Sequence, residues 1–213
     1  MAKVKAGVVL GGLSGRAGNA VFAQTAAGTV LRDRPFVNNP RTPAQTEARA
    51  RLAAVSRAWK GLDVAQATAW RDFAAQEAGL PAGSRVSAQL VFNRLGAKFL
   101  QANPGGTPPT MPPANAFPGD AVRFTCAGAP GAVEVTADLA NAAGVVTEVL
   151  IQRLPSIHCR TYRERYRTAV FHRFAAGETL TLEVRPGAVA VATRFVDAVT
   201  GQATELIEWG VVA

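Results

Sequence analysis

Metal centres and nucleophilic sites draw on residue types that this chain scarcely has: two cysteines, Cys126 and Cys159, and two histidines, His158 and His172. His158 and Cys159 are adjacent, a dipeptide and not the spaced ligand pattern of a zinc site. Cys159 with His172 as base is the one nucleophilic pairing the composition offers, and no third residue or oxyanion signature accompanies it. No pair of carboxylates stands out from the 15 scattered acids. The expectation is a non-enzymatic chain with no catalytic, cofactor-binding or metal-ligating residues, no cofactor and no small-molecule substrate.

Long apolar runs are missing too. The stretch from Ala6 to Leu10 breaks at Gly11 and Gly12, too short for the core of a signal peptide, and no segment has the length needed to span a bilayer. No membrane partner is expected, and without a secretory signal the two thiols are expected to stay reduced. The glycines Gly11, Gly12, Gly15 and Gly18 invite comparison with a phosphate loop. They lack the lysine and the following helix that such a loop needs, so they read as positions for tight turns or close approach of a neighbouring chain.

Charge is present, but unevenly. Of the 213 residues, the first 103 hold 14 Lys plus Arg against 5 Asp plus Glu, while the remainder holds 9 against 10. Arginine outnumbers lysine 19 to 4, which suits bidentate contacts to carboxylate or phosphate. Between the two parts, residues 104–118 contain Pro104, Pro108, Pro109, Pro112, Pro113 and Pro118. Such a run predicts a stiff, extended spacer holding two independently folding cores apart.

Before the spacer, a hairpin is expected over residues 20–25 and 29–34, with a turn at Ala26, Ala27 and Gly28. Its second arm places Val30, Arg32 and Arg34 on one face. Three helices follow. Thr42, Pro43 and Gln45 form a capping box, with Ala48, Leu52, Val55 and Trp59 as the apolar stripe of the first helix. Asp63 with Gln66 repeats the cap ahead of Ala67, Trp70, Phe73, Ala74 and Glu77, and Gly79 closes that helix. The third runs over about residues 86–102 with Ala88, Phe92, Leu95 and Phe99 inward, and the three stripes predict a small bundle. Beyond the spacer, strands are expected over residues 122–127, 132–139, 145–154, 167–174, 179–185, 188–196 and 204–212. Seven strands with turn punctuation predict an immunoglobulin-like β-sandwich. The fold class is therefore α+β: a glycine-rich arm and β-hairpin (1–41), a three-helix bundle (42–103), a linker (104–118) and a sandwich (119–213).

Two groups of side chains stand out as contact candidates. Arg16, Arg32 and Arg34 of the hairpin region, with Arg41, Arg49 and Arg57 around the first helix, predict a positive surface. Arg160, Arg163, Arg165, Tyr166 and Arg167 interleave arginine with tyrosine, a composition suited either to a protein interface or to a nucleic-acid backbone with stacked bases.

The strings 12–19 (Gly, Leu, Ser, Gly, Arg, Ala, Gly, Asn) and 39–45 (Asn, Pro, Arg, Thr, Pro, Ala, Gln) resemble the start of an uncharacterised phage- and prophage-associated structural protein family. Trp70, Asn93 at its place in the third helix, the proline-rich linker and the Arg165, Tyr166, Arg167 string extend the resemblance over most of the chain. The resemblance implies a component of a virion or other repetitive assembly, located in the virion or in the cytoplasm before assembly. Its implied partners are copies of itself and other assembly proteins, with DNA as the alternative partner of the basic half. It brings no catalytic residue.

Overall fold

In a computed structural model of the chain, residues 2–4, 14–25, 28–34, 41–76 and 87–212 are described. They divide into two units, residues 1–45 and 46–213. The first is an antiparallel sheet of four strands, β1 (Ala2–Val4), β2 (Gly15–Ala17), β3 (Ala20–Thr25) and β4 (Gly28–Asp33), in the order β1-β4-β3-β2. The expected hairpin is β3 with β4. Its register sets Gly28 opposite Thr25, so Gly28 is a strand residue and not part of a three-residue turn; Ala26 and Ala27 lie outside the described residues.

In the second unit, helices α1 (Pro43–Lys60), α2 (Val64–Gln76) and α3 (Ala88–Ala102) begin where side chains satisfy orphan amide groups. The Thr42 hydroxyl accepts from Gln45 N at 3.3 Å. Asp63 and Gln66 form a reciprocal box, Gln66 N donating to Asp63 Oδ1 at 2.7 Å and Asp63 N to Gln66 Oε1 at 3.0 Å. Replacing Asp63 with alanine is expected to cost about 1 kcal/mol, read as a lower thermal midpoint with unchanged helix content at 25 °C. Ser87 caps α3 by accepting from Leu90 N; Glu77, Gly79 and Val86 lie outside the described residues.

The three helices share a core of Val55, Trp70, Val91, Phe92, Leu95 and Leu100, with Trp59 and Phe73 at its margin. The Phe92 ring takes Trp70 edge-on at 5.1 Å and a tilted Trp59 at 5.4 Å, geometries that suit the ring quadrupoles. The stripe expected on α1 is displaced. Ala48 is exposed and Leu52 is 52% exposed, because contact with the core is made by Val55, Ala58, Trp59 and, past the helix end, Leu62.

Seven further strands follow: β5 (Phe124–Ala129), β6 (Ala132–Ala137), β7 (Val145–Arg153), β8 (Arg167–His172), β9 (Thr179–Glu183), β10 (Val189–Asp197) and β11 (Ile207–Val212). They make two antiparallel sheets, β11-β10-β7-β8 and β5-β6-β9. One apolar cluster draws on both, with Phe124, Val133, Val135, Val149, Val191 and Phe195 fully or almost fully buried. The mixed α+β class is as the sequence predicts.

The two central strands of the larger sheet are buried on both faces. Along β7 the residues Val145, Thr147 and Val149 alternate with Val146, Glu148 and Leu150, and all six are buried. The second face of this sheet is covered in two places. At one end, Leu150, Leu154, Ala190 and Ala192 pack with Tyr166 and Cys159 from the segment between β7 and β8. Elsewhere α3 lies on it, reaching Glu148 through Lys98 and the Ala198 carbonyl through Asn103 Nδ2 at 2.7 Å.

The proline-rich segment is therefore not a spacer that holds the helices and strands apart. Pro108 and Pro113 are buried, and the Thr110 carbonyl accepts a hydrogen bond from Trp70 Nε1 at 2.9 Å. Proline makes the segment stiff, but its rings are also apolar surface: Pro108 lies beside Gly96 of α3, and Phe117 packs on the core that draws on both sheets.

Candidate functional site

The N-terminal sheet brings arginines together by register. Arg16 lies opposite Val21, which lies opposite Arg32, so the three share one face with Val30 and Ala23, themselves a pair. Arg16 and Arg32 are exposed. Arg34, also exposed, continues past β4 with its N–H on the Asn19 carbonyl at 2.7 Å. Arg41 is exposed with φ 49°. These four belong to the first unit. Arg49 and Arg57 are exposed on α1 in the second unit, where neighbouring Arg51 pairs with Glu47 one turn earlier.

Packing gives this sheet an unusual balance. Val21, Phe22, Ala23, Val30 and Leu31 are all half-buried, and Thr29 is the single buried residue among those whose burial is described from 14 to 34. A four-stranded sheet ordinarily buries one face against another layer.

The Arg-Tyr segment is tied mainly into its own domain. Tyr166 is 6% exposed within the cluster on the larger sheet. Burial and the Glu208 carboxylate push its phenol up to about 12. Spectrophotometric titration is expected to show a late phenolate transition near pH 12, and Tyr166→Phe should remove that phase. The Arg165 guanidinium stacks on the Tyr162 ring, 4.7 Å from its centroid. Arg167 donates to the Glu164 and Tyr166 carbonyls, and Tyr162 N donates to buried Gln152. Arg163 faces Glu205 at 3.6 Å, an exposed pair of little energetic weight. Arg160 is exposed.

The third assembly of charge has no counterpart in the sequence expectations. Glu148, fully buried on β7, pairs in register with Arg194 of β10 and accepts from Arg194 Nε at 2.5 Å, from Lys98 Nζ of α3 at 2.9 Å, and from the Thr168 hydroxyl of β8. Burial alone would raise its carboxyl; these donors and the Lys98 charge outweigh burial and hold it below the ordinary 4.5. Lys98 is lowered, first by its own burial and then by repulsion from Arg194 and Arg51, against the attraction of Glu148. The carboxylate's donors and its cationic neighbour outweigh its burial, whereas for the ammonium burial is the larger effect.

Beside this cluster opens a cleft of about 440 Å³, lined by α3 residues Arg94, Leu95 and Lys98, by Phe73, by Ala116 and Phe117, and by Arg194 with residues 201–204. The long separations among these residues left no local motif to read. The signal that was available is Glu148 itself, a charge in the middle of an otherwise apolar strand run, which demands a buried partner.

The weighed nucleophilic pair is not assembled: His172 Nε2 lies 2.9 Å from Glu178 Oε1, whereas Cys159 packs with Leu150 and Leu154. Both cysteines are free thiols, and burial pushes Cys126 up to about 11. Among the described residues no group of three His, Cys, Asp or Glu is placed to hold a metal ion, and no helix is long and apolar enough to cross a membrane. In comparisons with family models, curated proteins and solved structures, nothing matches this chain.

Proposed function

We propose that this chain is a non-enzymatic structural subunit of a repetitive assembly, joined to its own copies through the N-terminal sheet and displaying a β-sandwich. The observation that carries the reading is the half-buried apolar set Val21, Phe22, Ala23, Val30 and Leu31 on a sheet whose edge strands, β1 and β2, are three residues each. Such a sheet gains stability when a second layer covers it or another strand extends it, and both are supplied by neighbouring copies. The sandwich reading is immunoglobulin-like. The strand orders β5-β6-β9 and β11-β10-β7-β8 support that reading. The resemblance to phage-associated structural proteins supports a virion, or the cytoplasm before assembly, as the location.

Light scattering on the full chain and on a chain lacking residues 1–34, which keeps the Thr42 cap, tests this reading. Oligomers are expected from the first and monomers from the second. A truncated chain that assembles as before would sink it.

One observation favours a second reading, DNA binding: the register that puts Arg16 and Arg32, both exposed, on the same face. Phosphate contacts release counterions, so affinity for random duplex would fall steeply with salt. If micromolar protein shifts neither duplex nor single-stranded DNA at low salt, the arginines face protein or solvent.

A further inference from the structure

The segment between β7 and β8 exposes charge that its own domain does not absorb. Residues 153–167 hold five arginines against one acid, Glu164, and all five are exposed. Two further carboxylates approach the segment, Glu205 at 3.6 Å from Arg163 and Glu208 through the Thr161 hydroxyl at 2.8 Å. Five positive charges against three negative still leave an excess. Among the described residues neither Arg153 nor Arg160 has a hydrogen-bond or ion-pair partner. Arg163 and Glu205 keep side-chain exposures of 66% and 90%, so that pair opens to another anion at little cost.

The backbone that carries these side chains is held in place. Tyr162 N donates to buried Gln152 at 3.0 Å, Cys159 N to the Ser156 carbonyl at 3.1 Å and Arg165 N to the Tyr162 carbonyl at 2.9 Å, while Tyr166 anchors the far end in the apolar cluster. A surface already ordered loses less entropy on binding. Its composition decides between partners. The core of a protein interface is apolar, whereas here only two large apolar side chains, Ile157 and Tyr162, stand exposed among the five arginines. Planar guanidinium forks match phosphate oxygens, and a tyrosine ring or a guanidinium plane offers a face on which an unpaired base stacks. Tyr162 and Arg165, both exposed and stacked on each other at 4.7 Å, supply both kinds of face.

We infer that residues 153–167 form a surface for single-stranded nucleic acid, with phosphates held by Arg153, Arg160 and Arg163 and a base stacked on Tyr162 with Arg165. The surface lies wholly within the second unit, so it stands independently of what the N-terminal sheet binds.

Fluorescence anisotropy of a labelled oligothymidylate about 15 nucleotides long, titrated at low salt with the full chain, tests the assignment. Saturation is expected at micromolar protein, with log affinity falling against log salt by about 0.7 for each phosphate engaged. Arg153→Gln and Arg160→Gln are each expected to lower that slope by about 0.7, and Tyr162→Leu to weaken binding about fivefold or more with the slope unchanged. All three positions are exposed, so the thermal midpoint moves little. Arg16→Gln combined with Arg32→Gln reports on the N-terminal sheet and should leave the affinity unchanged. Absence of saturation below about 100 μM protein, a duplex bound as tightly as the single strand, or unchanged affinity in all three single variants would each overturn the assignment. Competition by polyglutamate as strong as by unlabelled oligothymidylate would overturn it in favour of an acidic protein partner. Loss of binding in the Arg16 and Arg32 double variant alone would overturn it in favour of a DNA contact on the N-terminal sheet.

Discussion

Replacing Glu148 with alanine is expected to destabilise the second unit by about 3–5 kcal/mol, the cost of leaving buried cations without their counter-charge. Lys98 and Arg194 retain side-chain exposures of only 15% and 28%, so water replaces the lost carboxylate only in part. Thr168 also loses the acceptor of its hydroxyl. Glu148→Gln keeps an acceptor of the same shape and should cost less than the alanine. Urea denaturation followed by circular dichroism measures both, and a loss below about 1 kcal/mol for the alanine variant would show that the pair is solvated and unimportant.

The pH dependence follows from the same geometry. Because the folded Glu148 carboxyl sits below its ordinary 4.5, the folded state binds this proton less readily than the unfolded state. The stabilisation is therefore complete above about pH 4.5 and is lost as pH falls through the lower folded value. Acid titration of the wild type should show this loss; in Glu148→Gln the corresponding part of the acid limb should flatten.

Which parts of this architecture were legible in the chain depends on whether the signal was local. Thr42 with Gln45 and Asp63 with Gln66 announce helix starts because a cap acts within three residues, and the strands from β5 to β11 announce themselves through apolar runs and turn residues. Leu52 misled because periodicity identifies a stripe but not how far along the helix the neighbouring core extends. The six prolines misled for a related reason: composition sets the stiffness of residues 104–118, whereas Trp70 and the helical core decide where the segment lies. Arg165, Tyr166 and Arg167 read from the sequence as contact candidates. Their hydrogen bonds and stacking are now seen to bind that segment to its own sheet. The partners of Glu148 and the cleft were out of reach, since Lys98, Glu148 and Arg194 meet only after α3 has packed on the sheet.

That packing should be directly measurable at Gly201. Its φ of +77° lies in the left-handed region, and a Cβ placed there would collide with the Leu95 carbonyl of α3 and stand 2.9 Å from the Phe99 nitrogen. The obstacles are helix backbone, so no rotamer change relieves them. Gly201→Ala is expected to cost about 1–2 kcal/mol in backbone strain and about 1–3 kcal/mol more in forced separation of α3 from the end of β10. Gly177 supplies the control. It has nearly the same φ, +73°, and nothing within 4 Å of its would-be Cβ, so Gly177→Ala bears the strain alone. The difference between the two variants isolates the contact between helix and sheet. If α3 is seated as described, Gly201→Ala lowers the urea midpoint well below that of Gly177→Ala, and helical and tryptophan signals of each variant are lost in one transition. Equal midpoints, or helices that melt apart from the strands in the wild type, would mean that residues 88–102 do not form a common structure with the sheet and that the cleft between them is not a persistent feature of the molecule.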